Sequence, residues 1–88
     1  MQVILDGTQM TQRALAHAHL KQQLQLPDYY GRNLDALYDL LTERSEATCI
    51  CLRHSVQMLS ALGIYGQRLM DTMVDAAEQN PLITIITE

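Results

Sequence analysis

Short runs rich in aliphatic and β-branched residues alternate along the chain with longer segments whose apolar residues recur at helical spacing. Three of the runs predict strands, at residues 2–5, 48–52 and 82–87. The middle run is apolar over most of its length, which predicts a strand buried on both faces, as in a parallel sheet. The last run predicts another buried strand, because its β-branched residues favour extended structure.

Two helices are predicted between the first and second strands. The turn signal Asp6-Gly7 ends the first strand, and Thr11 is the predicted N-cap of a helix that continues to about Leu24. Leu20 and Leu24 are expected on the buried side of this helix. The chain then enters a loop, because the proline at position 27 prevents further helix.

The second helix is predicted to begin after Asn33, which is a favourable N-cap residue. Apolar residues follow it at positions i, i+3, i+4 and i+7, the spacing of one helical face. They are Leu34, Leu37, Tyr38 and Leu41.

Two further helices are predicted before the last strand, at residues 55–62 and 67–79. Gly63 and Gly66 are expected to bracket the turn between them. The later helix carries three residues on its inward face: Leu69, Met73 and Ala76.

This order of elements predicts the fold class. Strands separated by helices need crossover connections, which favour a parallel sheet covered by helices. The sequence therefore predicts an α/β fold with a three-stranded parallel sheet packed by about four helices. With 88 residues, the chain is expected to form a single domain over residues 1–88.

Composition and charge indicate which kinds of partner and which cellular compartment are expected. The formal net charge of −4 argues against a nucleic-acid partner, since such proteins normally carry a basic stripe. The N-terminal residues do not resemble an export signal, and no apolar run is long enough to span a membrane. Cys49 and Cys51 lie one residue apart in an apolar run and are poor disulfide partners. A cytoplasmic protein is therefore expected.

The acidic residues form two rows. Asp35, Asp39 and Glu43 step by four, so they share one face of the second predicted helix; we call them the first acidic row. The second acidic row lies on the last helix: Asp71, Asp75 and Glu78. Spacing alone is more typical of a solvated helix face than of a binding site.

The sequence gives little support for a catalytic site or a metal site. Asp35, Asp39 and Asp75 could in principle hold Mg²⁺ in a metal-dependent hydrolase, but no histidine or lysine is linked to them by a motif. His17 and His19 lie about 200° apart around a helix, so they cannot bind one metal ion together and are interpreted as ordinary helix residues. The sequence predicts no enzyme activity, no cofactor and no small-molecule substrate.

The segment LPDYYGRNLDALYDLL, with VILDG at the first strand and ITIIT at the last, resembles the barstar family. These are small cytoplasmic inhibitors of a secreted bacterial ribonuclease. The resemblance implies a three-stranded parallel sheet packed by helices. It also implies that the second helix and its preceding loop occlude the active site of a basic ribonuclease or RNase toxin in a 1:1 complex.

The resemblance also implies roles for particular residues. Asp39 is expected to take the place of an RNA phosphate among the basic groups of the enzyme, and Tyr29 to pack on the enzyme from the loop. Asp75 matches a glutamate that pairs with a basic residue of the enzyme, and Glu43 extends the first acidic row. The remaining expected contacts are Gly31, Asn33, Leu34, Asp35 and Tyr38.

Several positions depart from the family pattern. Tyr38 stands in place of a tryptophan, Arg32 in place of an acidic residue, and Asp75 in place of the longer glutamate. The segment after the second helix, at residues 42–45, lacks a Gly-Trp pair found in the family. These differences predict that the target is related to the ribonuclease bound by the family but differs from it in the details of the contact. The alternative is an interaction module that keeps the scaffold and binds a protein other than a ribonuclease.

Overall fold

The chain folds into three strands and four helices, and the computed structural model describes residues 1–88. In chain order the elements are β1 (Gln2–Asp6), α1 (Arg13–Leu24), α2 (Leu34–Thr42), β2 (Thr48–Arg53), α3 (Ser55–Leu62), α4 (Ile64–Gln79) and β3 (Ile83–Thr87), with a 3-10 turn at Gly7–Gln9. The strands are parallel, and β2 lies between β1 and β3. The predicted α/β fold with a three-stranded parallel sheet packed by four helices is confirmed.

The sheet is covered on one face only. Val3 and Leu5 of β1 are buried, whereas Ile4 between them is 48% exposed, and β2 alternates in the same way. Ile86 of β3 is 47% exposed. The predictions that residues 48–52 would be buried on both faces, and that residues 82–87 would be a buried strand, are therefore wrong. The strand order advances in one direction, so right-handed crossovers place all the helices on the same face.

The start of α1 also differs from the prediction. The N-cap is Gln12, whose backbone is extended and whose side chain makes no capping hydrogen bond. Thr11 lies one residue too early and is exposed, so the predicted Thr11 cap is wrong. The predicted inward residues of this helix, Leu20 and Leu24, are fully buried.

Helices α3 and α4 meet at a glycine. Gly63, with a φ of 60°, ends α3, and α4 begins at the next residue. Gly66 is buried inside α4, where an added Cβ would lie 3.1 Å from Leu62 Cβ and 3.3 Å from Leu59 Cα. The prediction that Gly63 and Gly66 bracket a turn is wrong, because Gly66 serves the close approach of the two helices instead.

Helices α2 and α4 pack against each other over the sheet. Leu37 and Leu41 of α2 are fully buried, as are Leu69 and Met73 of α4. The buried amide of Asn80, just after α4, donates to the carbonyl oxygen of Leu41 at 2.9 Å. It also donates to the Arg44 carbonyl at 2.9 Å, so it holds the end of α2 against the end of α4.

Candidate protein-binding surface

Residues 25–33 connect α1 to α2, and we call the last part of this connection, residues 28–33, the binding loop. Two contacts fix its start. The Tyr30 N–H donates to the Pro27 carbonyl at 2.9 Å, and Lys21 of α1 pairs with Asp28 at 3.3 Å. The two tyrosines of the loop then point in opposite directions, since Tyr29 is 81% exposed and Tyr30 only 5%. The loop therefore presents one aromatic ring outward while anchoring the next in the core.

The buried side chain of Tyr30 is within hydrogen-bond distance of a histidine. The Tyr30 hydroxyl lies 2.6 Å from His17 Nδ1, and His17 Nε2 lies 2.5 Å from the Tyr65 hydroxyl on α4. His17 is 2% exposed, and its pKa is lowered by burial and by the positive charge of Arg32. Burial also raises the pKa of the Tyr30 phenol. At neutral pH the histidine and both phenols are therefore uncharged.

This contact was not predicted, because His17 and His19 were interpreted as ordinary helix residues. His17, Leu20 and Leu24 follow at i, i+3 and i+7, so His17 lies on the same helical face as two predicted core leucines. That spacing could have predicted that His17 is buried. His19 is also buried, and its Nε2 accepts the Asp6 N–H at 3.0 Å.

The end of the binding loop starts α2. Asn33 Oδ1 accepts the Ala36 N–H at 2.7 Å, which confirms the predicted N-cap, and its amide donates to the Gly31 carbonyl at 3.2 Å. Arg32, between Gly31 and Asn33, adopts a left-handed φ of 54° and is exposed. The loop geometry is thus set by local hydrogen bonds and places a positive side chain beside the start of α2.

The predicted acidic residues are exposed and lack ion-pair partners. All members of both acidic rows are exposed, on α2 and on the neighbouring α4. The two salt bridges of the chain, Lys21–Asp28 and Arg53–Glu88, involve none of them. Leu34 and Tyr38 lie half-buried beside the first acidic row on α2. This arrangement leaves carboxylates without ion-pair partners around apolar and aromatic groups.

The predicted contact residues are distributed over three neighbouring elements. Tyr29, Gly31 and Asn33 lie in the binding loop, and Asp75 lies on α4. The others are on α2: Leu34, Asp35, Tyr38, Asp39 and, at its C-cap, Glu43. We call this set the candidate surface. No group of three or more His, Cys, Asp or Glu side chains is placed to hold a metal ion, so Asp35, Asp39 and Asp75 do not form such a cluster. No helix is long and apolar enough to cross a membrane.

Comparison with known proteins identifies both a family and a relative of this chain. The chain matches the sequence model of the family described as "Barstar (barnase inhibitor)" over residues 1–85, a range that contains every residue of the candidate surface. A protein of Bacillus subtilis (strain 168) named "Putative ribonuclease inhibitor YrdF" is 33% identical over 78 residues. The aligned part is 88% of this chain and 86% of that relative.

Proposed function

The chain belongs to the barstar family, and on this premise we propose that it inhibits a basic ribonuclease by covering its active site with the binding loop and α2. One observation supports this most directly. Tyr29, 81% exposed, stands on a hydrogen-bonded loop next to a row of exposed carboxylates without ion-pair partners. Tyrosine is enriched among the hot spots of protein interfaces, and carboxylates without partners in the chain are available to pair with the cations of a basic enzyme.

In this proposal Asp39 is the central contact. A ribonuclease active site holds cationic groups that bind RNA phosphates and stabilise charge in the transition state. A carboxylate can take the place of a phosphate there, accepting hydrogen bonds from a guanidinium fork. Asp39 is exposed on one turn of a capped helix, so its carboxylate is held in place without being neutralised within the chain.

The side chains around Asp39 have supporting roles. Tyr29 and Tyr38 supply aromatic area that excludes water from the contact, and Leu34 extends the apolar part beside them. Gly31 and Asn33 fix the course of the loop into α2 through the Asn33 cap. Asp75 and the other acids surround this centre with negative charge, which accelerates the approach of a basic enzyme.

The test is an RNA-cleavage assay with barnase, the enzyme named in the family description, and with other basic ribonucleases. Cleavage is expected to fall as the chain is added and to reach its minimum at one inhibitor per enzyme. Raising the salt concentration is expected to slow association, since the attraction is partly screened beyond about 10 Å at 0.1 M ionic strength. Full cleavage by every enzyme tested, at inhibitor in excess, would contradict the proposal.

A second candidate function is an interaction module for a protein other than a ribonuclease. The observation that favours it is Arg32, an exposed cation in the binding loop with no carboxylate paired to it. A basic active site would repel this side chain, whereas an acidic partner would attract it. Capture from the native cell extract distinguishes the two, because the captured protein either cleaves RNA or does not.

Arg32 itself yields a prediction. The Arg32→Glu variant changes the loop charge by two units, and we expect it to associate with barnase about two- to tenfold faster at low salt. The effect should shrink at high salt. Arg53→Glu is the control for the charge change, since it makes the same change on the open face of the sheet, away from the helices. It also removes the exposed Arg53–Glu88 ion pair, so its folding is checked by circular dichroism before association is measured. Stopped-flow association rates are the measurement. Slower association of Arg32→Glu would instead indicate an acidic group on the partner opposite this position.

A further inference from the structure

The buried cluster of Tyr30, His17 and Tyr65 connects the binding loop to two helices, and the proposed function gives it no part. His17 comes from α1, Tyr65 from α4 and Tyr30 from the loop. The imidazole uses both of its nitrogens in these contacts, at 2.6 and 2.5 Å. No buried side-chain polar atom of the chain is left without a hydrogen-bond partner, so the cluster is fully satisfied.

The burial of the two phenols indicates which nitrogen carries the proton. A neutral imidazole has one N–H donor and one bare acceptor nitrogen. Tyr30 is 5% exposed and has a single hydroxyl proton, which must be donated within the core. Tyr65 is only partly buried, so its hydroxyl can donate to water. The arrangement that leaves no buried donor unpaired has Tyr30 donating to Nδ1 and the His17 Nε2–H donating to Tyr65.

We propose that His17 is a positioning residue for the binding loop: its bare Nδ1 accepts the Tyr30 hydroxyl, which holds Tyr30 in the core and thereby fixes Tyr29 in its outward position. Tyr29 and Tyr30 are adjacent, so release of one changes the direction of the other. The importance of this anchor for partner binding rests on the proposed function. Its effect on the loop does not.

Protonation of His17 disrupts this arrangement. A proton on Nδ1 turns the acceptor into a donor, and the Tyr30 hydroxyl proton then has no acceptor in the core. Arg32, on the loop side, opposes a positive charge on the imidazole, and the neutral phenols Tyr30 and Tyr65 do not offset it. Arg13 of α1 stacks over the Tyr65 ring, with its guanidinium carbon 4.2 Å from the ring centroid.

The direction of the pH effect follows from the lowered pKa of His17. The state with the loop released has the ordinary histidine pKa of about 6.5 and binds the proton more readily than the anchored state. The anchor is therefore fully present above about pH 6.5 and is lost as the pH falls below that value. His19, whose pKa is also lowered by burial, titrates in the same direction but contacts the Asp6 backbone and not the loop.

The test measures hydrogen-exchange protection of the Tyr30 amide, the loop N–H that donates to the Pro27 carbonyl, in the free chain; we call it loop protection. An asparagine amide oxygen can occupy the place of the acceptor Nδ1, and a glutamine amide nitrogen the place of the donor Nε2. We therefore expect His17→Asn to keep loop protection and His17→Gln to reduce it about tenfold at pH 7, the effect of one lost buried hydrogen bond. His19→Gln is the matched control, with loop protection unchanged.

A pH series provides the second readout. Between pH 7 and pH 5, loop protection in the unmodified chain should fall relative to that of the strands, whereas His17→Asn should show no such fall. Equal protection in the Asn and Gln variants, or a pH-dependent fall that persists in His17→Asn, would overturn the proposal. Absence of the fall in the unmodified chain would also overturn the proposal, even where one of the variants fails to fold.

Binding is measured separately, with barnase as the probe. His17→Gln should bind more weakly than His17→Asn at pH 7, by about the same tenfold factor if the loop must be ordered to bind. Absence of binding by the unmodified chain would count against the proposed function alone, because the exchange experiment reports on the loop without any partner.

Discussion

Replacement of Asp39 by alanine is expected to weaken inhibition of a basic ribonuclease by roughly 30- to several-thousand-fold, or about 2–5 kcal/mol. The large effect arises because the enzyme's cationic groups would stay buried in the complex without the carboxylate that neutralises them. The loss should appear mainly as faster dissociation, since the remaining acids still attract the enzyme. Inhibition constants and dissociation rates, measured with barnase at fixed salt, are the readouts.

Glu46→Ala is the matched control for this prediction. It also removes one exposed carboxylate, but Glu46 lies beyond the end of α2. It is expected to change the inhibition constant by less than about threefold, as is usual for a rim charge. Unfolding curves of both variants should coincide with that of the unmodified chain, because neither side chain has a partner within the fold. Unchanged inhibition by Asp39→Ala would mean that the centre of the interface lies elsewhere.

The second large effect concerns stability. Gly7→Ala is expected to lower the free energy of unfolding by about 3 kcal/mol or more, which is a large part of the total for a domain of this size. An added Cβ would overlap the carbonyl oxygen of His54, which belongs to the backbone and cannot rotate away as a side chain could. The strand β1 and the junction of β2 with α3 would have to separate. Denaturant unfolding followed by far-UV circular dichroism measures the change.

Gly31→Ala provides the comparison, because it adds the same methyl group where the nearest atom is a side chain. Its Cβ would lie 3.2 Å from the Asn33 amide nitrogen, which can shift. We expect a loss of less than about 1 kcal/mol for this variant. Similar losses for the two variants would show that backbone crowding at Gly7 is not the cause.

The sequence predicted the parts of the fold that depend on local rules. Asn33 caps α2 as expected, and the apolar spacing of that helix places Leu37 and Leu41 in the core. Local rules could not predict the open face of the sheet. An apolar run such as that of β2 is compatible with one or two covering layers, and the number of layers depends on where the helices pack.

In the candidate surface too, features that depend on local spacing were predicted and features that depend on tertiary contacts were not. Helical spacing was sufficient to place the first acidic row on the outer face of α2, where the structure has it. The role of His17 was not predicted, because its partners Tyr30 and Tyr65 lie far from it along the chain and come together only in the tertiary structure. Gly66 was misassigned for a related reason, since a glycine in a helix contact and a glycine in a turn look alike in sequence.

The position of β2 at the centre of the sheet has a consequence for synthesis of the chain. The two outer strands come from opposite chain ends, and α2 depends on α4 and on Asn80 for its packing. During translation, β1, α1, α2 and β2 emerge first and can pair, because they form one complete crossover unit. The helix that carries Asp39 is then still open on its α4 side. It can reach its final position only after α4 and Asn80 have left the ribosome.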